Sequence, residues 1–180
     1  MRRLSAVILA GAALASCRTA PPEALGPDTR VRAVGTREAM IDGINPAALA
    51  IWHIRSNAAA AGGPALDPAL MDPVAWSRLE DSARMLAFYS RRMAEADLFR
   101  AGGPDIGSGP VPAGIASREE VQAMIDADPQ GFRAISRQMA ERADGLAQAA
   151  AARDPVRAGA LATAIDEPCQ SCHLRYWYEH

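Results

Sequence analysis

The chain has 180 residues, with 19 basic against 21 acidic side chains and a formal net charge of −2. A faintly acidic surface excludes a dedicated nucleic-acid or anionic-membrane binder, which would carry a basic excess. All 19 basic residues are Arg; with so much Ala this reflects coding bias, and no function follows from it. Aromatics make up 5 % of the chain and β-branched runs are absent, so strands are not expected and the chain reads as all-α.

The elements follow in order. Met1-Arg2-Arg3 is a short positive region, and Leu4 to Ala15 is almost wholly apolar. That stretch is too short to span a bilayer and fits an export signal. It ends in Leu14-Ala15-Ser16-Cys17, which resembles the bacterial lipoprotein cleavage box, with Cys17 lipidated to become the first residue. The alternative is an ordinary signal peptide with an incidental Cys. Removal of residues 1–16 leaves 164 of the 180 and takes Arg2 and Arg3 with it, moving the charge from −2 to −4. The remainder suits one domain with its own core. Residues 17–35, with Pro21-Pro22 and Gly26-Pro27, read as a flexible tether, and residues 36–180 as the folded domain.

Helix A is expected from Thr36 to Ser56, on the stripe Met40, Ile41, Ile44, Ala48, Ile51 and Trp52, with a kink or restart at Asn45-Pro46. Residues 57–72 form a connection. Helix B follows Asp72-Pro73 and runs to about Phe99 on Trp76, Leu79, Ala83, Leu86 and Met93. Residues 100–118 are too rich in Gly and Pro for a regular element. Ser117 with Glu119 and Glu120 opens a short helix to Ala127, and helix C starts at Asp128-Pro129 with Phe132, Ile135, Met139, Ala143, Leu146 and Ala150 on one side. Helix D starts at Asp154-Pro155. Its inward row is Ala158, Leu161, Ala162, Ile165, Cys169, Cys172, His173 and Tyr176, with a split expected near Pro168 and Asp166 as the cap of the second part. Helices joined by short to moderate connections suggest an antiparallel four-helix bundle, which can hold a cofactor between facing helices.

Helix D ends in Cys169-Gln170-Ser171-Cys172-His173. Cys-x-x-Cys-His is the spacing of covalent haem attachment: two thiols add to two vinyl groups of one porphyrin and the adjacent imidazole reaches the iron. On a helix the three side chains leave one face. A zinc site would need further ligands, and a thiol redox pair is sought beside a βαβ pattern. With Cys17 given to lipid, all three cysteines are assigned and none is left for a disulfide.

The C-terminal motif on a four-helix pattern resembles the class II cytochromes c, the cytochrome c′ family, over roughly Thr36 to Tyr178. Tyr176, an aromatic three residues after the His, strengthens the resemblance, and Met40 to Trp52 looks like helix A of lipoprotein-type members. Many members carry a basic residue four positions after the haem His, where this chain has Trp177. The resemblance implies one covalent haem c, with Cys169 and Cys172 attached and His173 axial. It also poses the question of the sixth ligand, which comes from helix A. Low-spin members place a Met there and carry electrons; members with an apolar residue keep five-coordinate iron and bind NO or CO. In antiparallel helices the start of A lies level with the end of D. Met40 and His173 therefore agree in depth to about one turn, while His53 lies roughly 20 Å further along. Met93 is at a suitable level too, and His180 reads as a terminal residue.

The expectation is a membrane-tethered periplasmic electron carrier with His173 and Met40 as axial ligands. The alternative is a five-coordinate gas-binding protein. Arg37 and Arg175 are candidates to pair with a haem propionate. An acidic haem protein suits a redox partner with a basic docking patch, and the resemblance allows a homodimer. The sequence shows no acid/base constellation and no phosphate loop, so an enzyme is not expected.

Overall fold

Three of the helices open on one local signal. In α3 (Pro73–Ala94), α5 (Pro129–Ala151) and α6 (Pro155–Ala164) an Asp stands at the N-cap and a Pro follows it. The carboxylates of Asp72, Asp128 and Asp154 accept the backbone N–H of Ala75, Gly131 and Arg157, so each satisfies a donor the helix itself cannot. The Pro has no N–H to waste there. The computed structural model describes residues 31–102 and 113–178. Cys17 and His180 lie outside the described residues, as does most of the stretch read as a tether.

The first helical segment is continuous but not uniform. After β1 (Ala33–Gly35) come α1 (Thr36–Ala39), a π-helical turn at Met40–Ile44 and α2 (Asn45–Asn57). Pro46 cannot donate to a carbonyl one turn back, and the ladder widens ahead of it: the Asn45 N–H reaches the Met40 carbonyl, five residues back. The expected kink is thus a wide turn, with αR backbone at both of its ends. Helix D does split, into α6 and α7 (Asp166–Tyr176), but at Ile165 rather than at Pro168.

Two expectations are corrected. Helix B stops at Ala94, and Leu98–Arg100 is a strand, β2, paired in parallel with β1 at Val34 and Phe99. The driving force is burial of Phe99, 4 % exposed, whose ring meets Phe132 edge-on at 4.8 Å. Three-residue strands carry no readable period. The short helix expected after Ser117 is present as α4 (Arg118–Ala127), opened by a capping box between Ser117 and Glu120.

The helices pack as an antiparallel four-helix bundle, A being α1 to α2, B α3, C α5 and D α6 to α7, with α3 against α5 the broadest contact. Ile51, Leu79, Leu86, Leu146 and Ile165 are fully buried in the core. Ala83, Ala143, Ala149, Ala158 and Ala162 are sealed as completely, so small residues set how closely the helices approach. Gly159 shows the limit of that approach: a Cβ there would lie 2.0 Å from the Pro64 carbonyl oxygen in the 57–72 connection.

Candidate haem site

The sequence puts Cys169, Cys172 and His173 on α7, and the tertiary structure locks that helix at both ends. At its start, Asp166 does not cap the helix, since Ile165 holds the N-cap position with αR backbone. Its carboxylate instead accepts the Trp52 Nε1–H at 2.6 Å and the Arg55 guanidinium at 2.9 Å, tying α7 to α2. Arg142 on α5 bonds the Ala164 carbonyl and, at 2.6 Å, Glu167. At its end, the buried Tyr176 donates its hydroxyl to Asp128, with 3.0 Å to Oδ2. The Phe132 ring packs edge-on against it at 5.1 Å. Asp128 therefore caps α5 and anchors α7 with one carboxylate.

Between these anchors lies a narrow apolar crevice, about 60 Å3 in volume and open to solvent at one side. α7 contributes Pro168, Cys169, Cys172 and His173; facing residues include Met40, Trp52, Ser90, Met93 and Met139. Of the residues singled out from the sequence, Cys169, Cys172, His173, Met40 and Met93 meet here. Arg37 and Arg175 are not among the lining residues. Arg37 is half-buried on α1, one turn before Met40. Arg175 holds Asp128 at 2.6 Å and lies over the Tyr176 ring. His53 is exposed on α2 and bonded to Asn57.

The electrostatics match the apolar lining. Burial pushes the Cys169 thiol up to about 11, with Asp166 adding to it, and the Cys172 thiol up to about 12, with Cys169 adding to it. Both stay protonated at neutral pH, unlike the low-pKa thiols of redox pairs. Burial lowers His173, favouring the neutral imidazole that can ligate a metal. The His173 ring lies 6.1 Å from Trp177 and 6.5 Å from Tyr178, so aromatics flank it where many cytochromes c′ have a basic residue. Among the described residues, no group of three or more His, Cys, Asp or Glu side chains is placed to hold a bare metal ion. Two neutral thiols beside an imidazole, with soft thioethers across an apolar gap, form a donor set that fits a covalently bound haem.

Among the lining residues not singled out as site residues are Ser90 and Met139, and the sequence held a signal for the first. Ser90 stands four residues after Leu86 and three before Met93, a polar residue inside an apolar stripe. Met139 lay in the stripe of helix C and read as core.

An all-helical bundle with a terminal Cys-x-x-Cys-His on its last helix defines a c-type haem protein. The pattern of the family described as cytochrome c′ matches residues 71–177, more than half of the chain, and the chain belongs to that family. Its members hold a covalently attached haem c and serve in electron transfer or gas binding. No curated protein and no solved structure matches the chain significantly.

Proposed function

We propose that the protein is a membrane-tethered periplasmic electron carrier, with one haem c bonded to Cys169 and Cys172 and with His173 and Met40 as axial ligands. The observation that carries this reading is that Met40 lines the crevice shared by both cysteines and His173. Met93 and Met139 line it as well, but each is 6 % exposed within the core, whereas Met40 is only partly buried and packs at the core's edge. The thioether least committed to packing is the one a metal can take over. Met40 also opens the π-helical turn, a distortion often found at functional positions.

Bound haem supplies a one-electron couple, and a Met thioether opposite His holds it at a higher potential than two imidazoles would. The chain's residues supply the dry lining, the two covalent bonds and the axial donors. Arg37, one turn before Met40, is the better propionate partner, because Arg175 already holds Asp128. Cys17 carries the lipid. With the signal removed, a charge of −4 favours a redox partner presenting a basic patch.

The test is visible absorption of the membrane-fraction protein, oxidised and reduced, with and without CO. It needs a host that matures c-type haem. Wild type and Met93→Ala should show a low-spin spectrum indifferent to CO, and Met40→Ala should become high-spin and bind CO. A wild-type spectrum that shifts with CO would instead establish the five-coordinate, gas-binding reading. Recovery only in the soluble periplasm would remove the tether.

A further inference from the structure

Ser90 on α3 is 0 % exposed, and its Oγ has no hydrogen-bond partner among the described residues. That is uncommon, because a buried hydroxyl without a partner forfeits its hydration for nothing. A helical Ser or Thr ordinarily donates to the carbonyl four residues back, and this chain does so elsewhere. Ser136, buried on the wall of the same crevice, donates to the Phe132 carbonyl at 2.8 Å, and Thr163 to the Gly159 carbonyl at 3.1 Å. Ser90 makes no such bond.

Its position says what it faces. Ser90 lines the crevice together with Met40, and the Met40–Ile44 turn packs directly on α3. The register is fixed by the neighbouring residues: a Cβ at Gly43 would lie 2.0 Å from the Tyr89 ring, so only a glycine lets the turn sit this close to α3. Ser90 follows Tyr89 and Met40 precedes Gly43 by less than one turn, so both residues flank this close approach and line the one crevice. A propionate would be expected at the solvent edge, where a fully buried hydroxyl does not reach.

We infer that Ser90 is a positioning residue for the sixth ligand: with haem bound, the hydroxyl that has no partner here would donate a hydrogen bond to the thioether sulfur of Met40. The inference rests on Met40 being that ligand. A donor on the sulfur draws away lone-pair density, which disfavours the oxidised iron more than the reduced and raises the potential.

The experiment is a redox titration of the haem-loaded protein, of its Ser90→Ala and Ser90→Thr variants, and of Met40→Ala and Met93→Ala, these two each alone and with Ser90→Ala added. A sulfur is a weak acceptor, so loss of one bond should change the redox equilibrium about threefold, near the low end for a hydrogen bond. That is about 30 mV downward for a one-electron couple in Ser90→Ala. Ser90→Thr should restore the potential, and the effect of Ser90→Ala should vanish in the Met40→Ala background but persist in Met93→Ala. A Ser90→Ala potential equal to wild type, with the Met-ligated spectrum intact, would overturn the inference and leave the ligation standing. An effect that vanishes in Met93→Ala instead would overturn it too. Failure of the ligation itself shows separately, as a Met40→Ala spectrum identical to wild type.

Discussion

Cys169 and Cys172 sit in a lining apolar enough to keep both thiols protonated, at about 11 and 12. Groups of that kind are inert toward exchange and persist until an attachment step consumes them. Their spacing was legible without any structure, because i and i+3 share a helix face whatever the helix packs against. Replacing both by Ser should yield a protein whose haem separates on denaturing electrophoresis, while the wild-type band keeps its haem stain. A stain surviving in the double variant would place the covalent bonds elsewhere. Ser90 shows the opposite case. Its place in an apolar stripe could be read from the sequence, but only the missing partner bond distinguishes it from Ser136, which satisfies itself on its own helix.

At the scale of the element, most helix starts were readable, since Asp-Pro and Ser-x-x-Glu are local chemistry: helices open at Asp72, Asp128, Asp154 and Ser117 as expected, and each of these side chains caps. Thr36, the expected cap of helix A, instead lies inside α1, and Gly35 holds the N-cap. Features that depend on a distant partner were not. Asp166 looked like a cap and is a clamp on Trp52 and Arg55, more than 100 residues away in sequence. The strand at Leu98–Arg100 exists because β1 lies beside it and Phe99 has Phe132 to pack on. The far clamp on α7 gives a quantitative check. Burial, followed by the bond to Asp128, drives the Tyr176 phenol well above its usual range, so it is a donor at all ordinary pH. Tyr176→Phe should lower the unfolding free energy by about 1 kcal/mol, the usual worth of one such bond. The urea midpoint would fall with an unchanged slope. An unchanged midpoint would mean that ring packing alone holds the end of α7.

For the molecule as a whole, the carboxylates tie stability to pH. Backbone N–H groups hold three of them below their ordinary values: Arg32 acting on Asp97, Ser117 on Glu120 and Gly131 on Asp128. A carboxyl whose folded pKa is depressed stabilises the fold above its unfolded value and loses that contribution as pH falls through the folded one. Those unfolded values are 3.8 for the two Asp and 4.5 for Glu. Burial of His173 as the neutral imidazole acts in the same direction from a higher pH, so the urea midpoint should begin to fall below the ordinary histidine value of 6.5 and fall further below about 4 as these carboxylates protonate. A midpoint steady from neutral pH down to about 5 would mean that His173 is no better buried in the folded chain than in the unfolded one.

The helical class, the bundle topology and the Cys-x-x-Cys-His motif were all open to reading from the chain, because each rests on periodicity, capping or spacing within one or two turns. The company those residues keep was decided in three dimensions. Met40 comes to the cysteines only because helix A folds back beside helix D. A hydroxyl on α3 is stranded in the same crevice because a glycine lets the π-helical turn sit against Tyr89. Such contacts depend on how neighbouring helices slide and rotate against one another. Packing volume sets that choice, and no local pattern in the sequence records it.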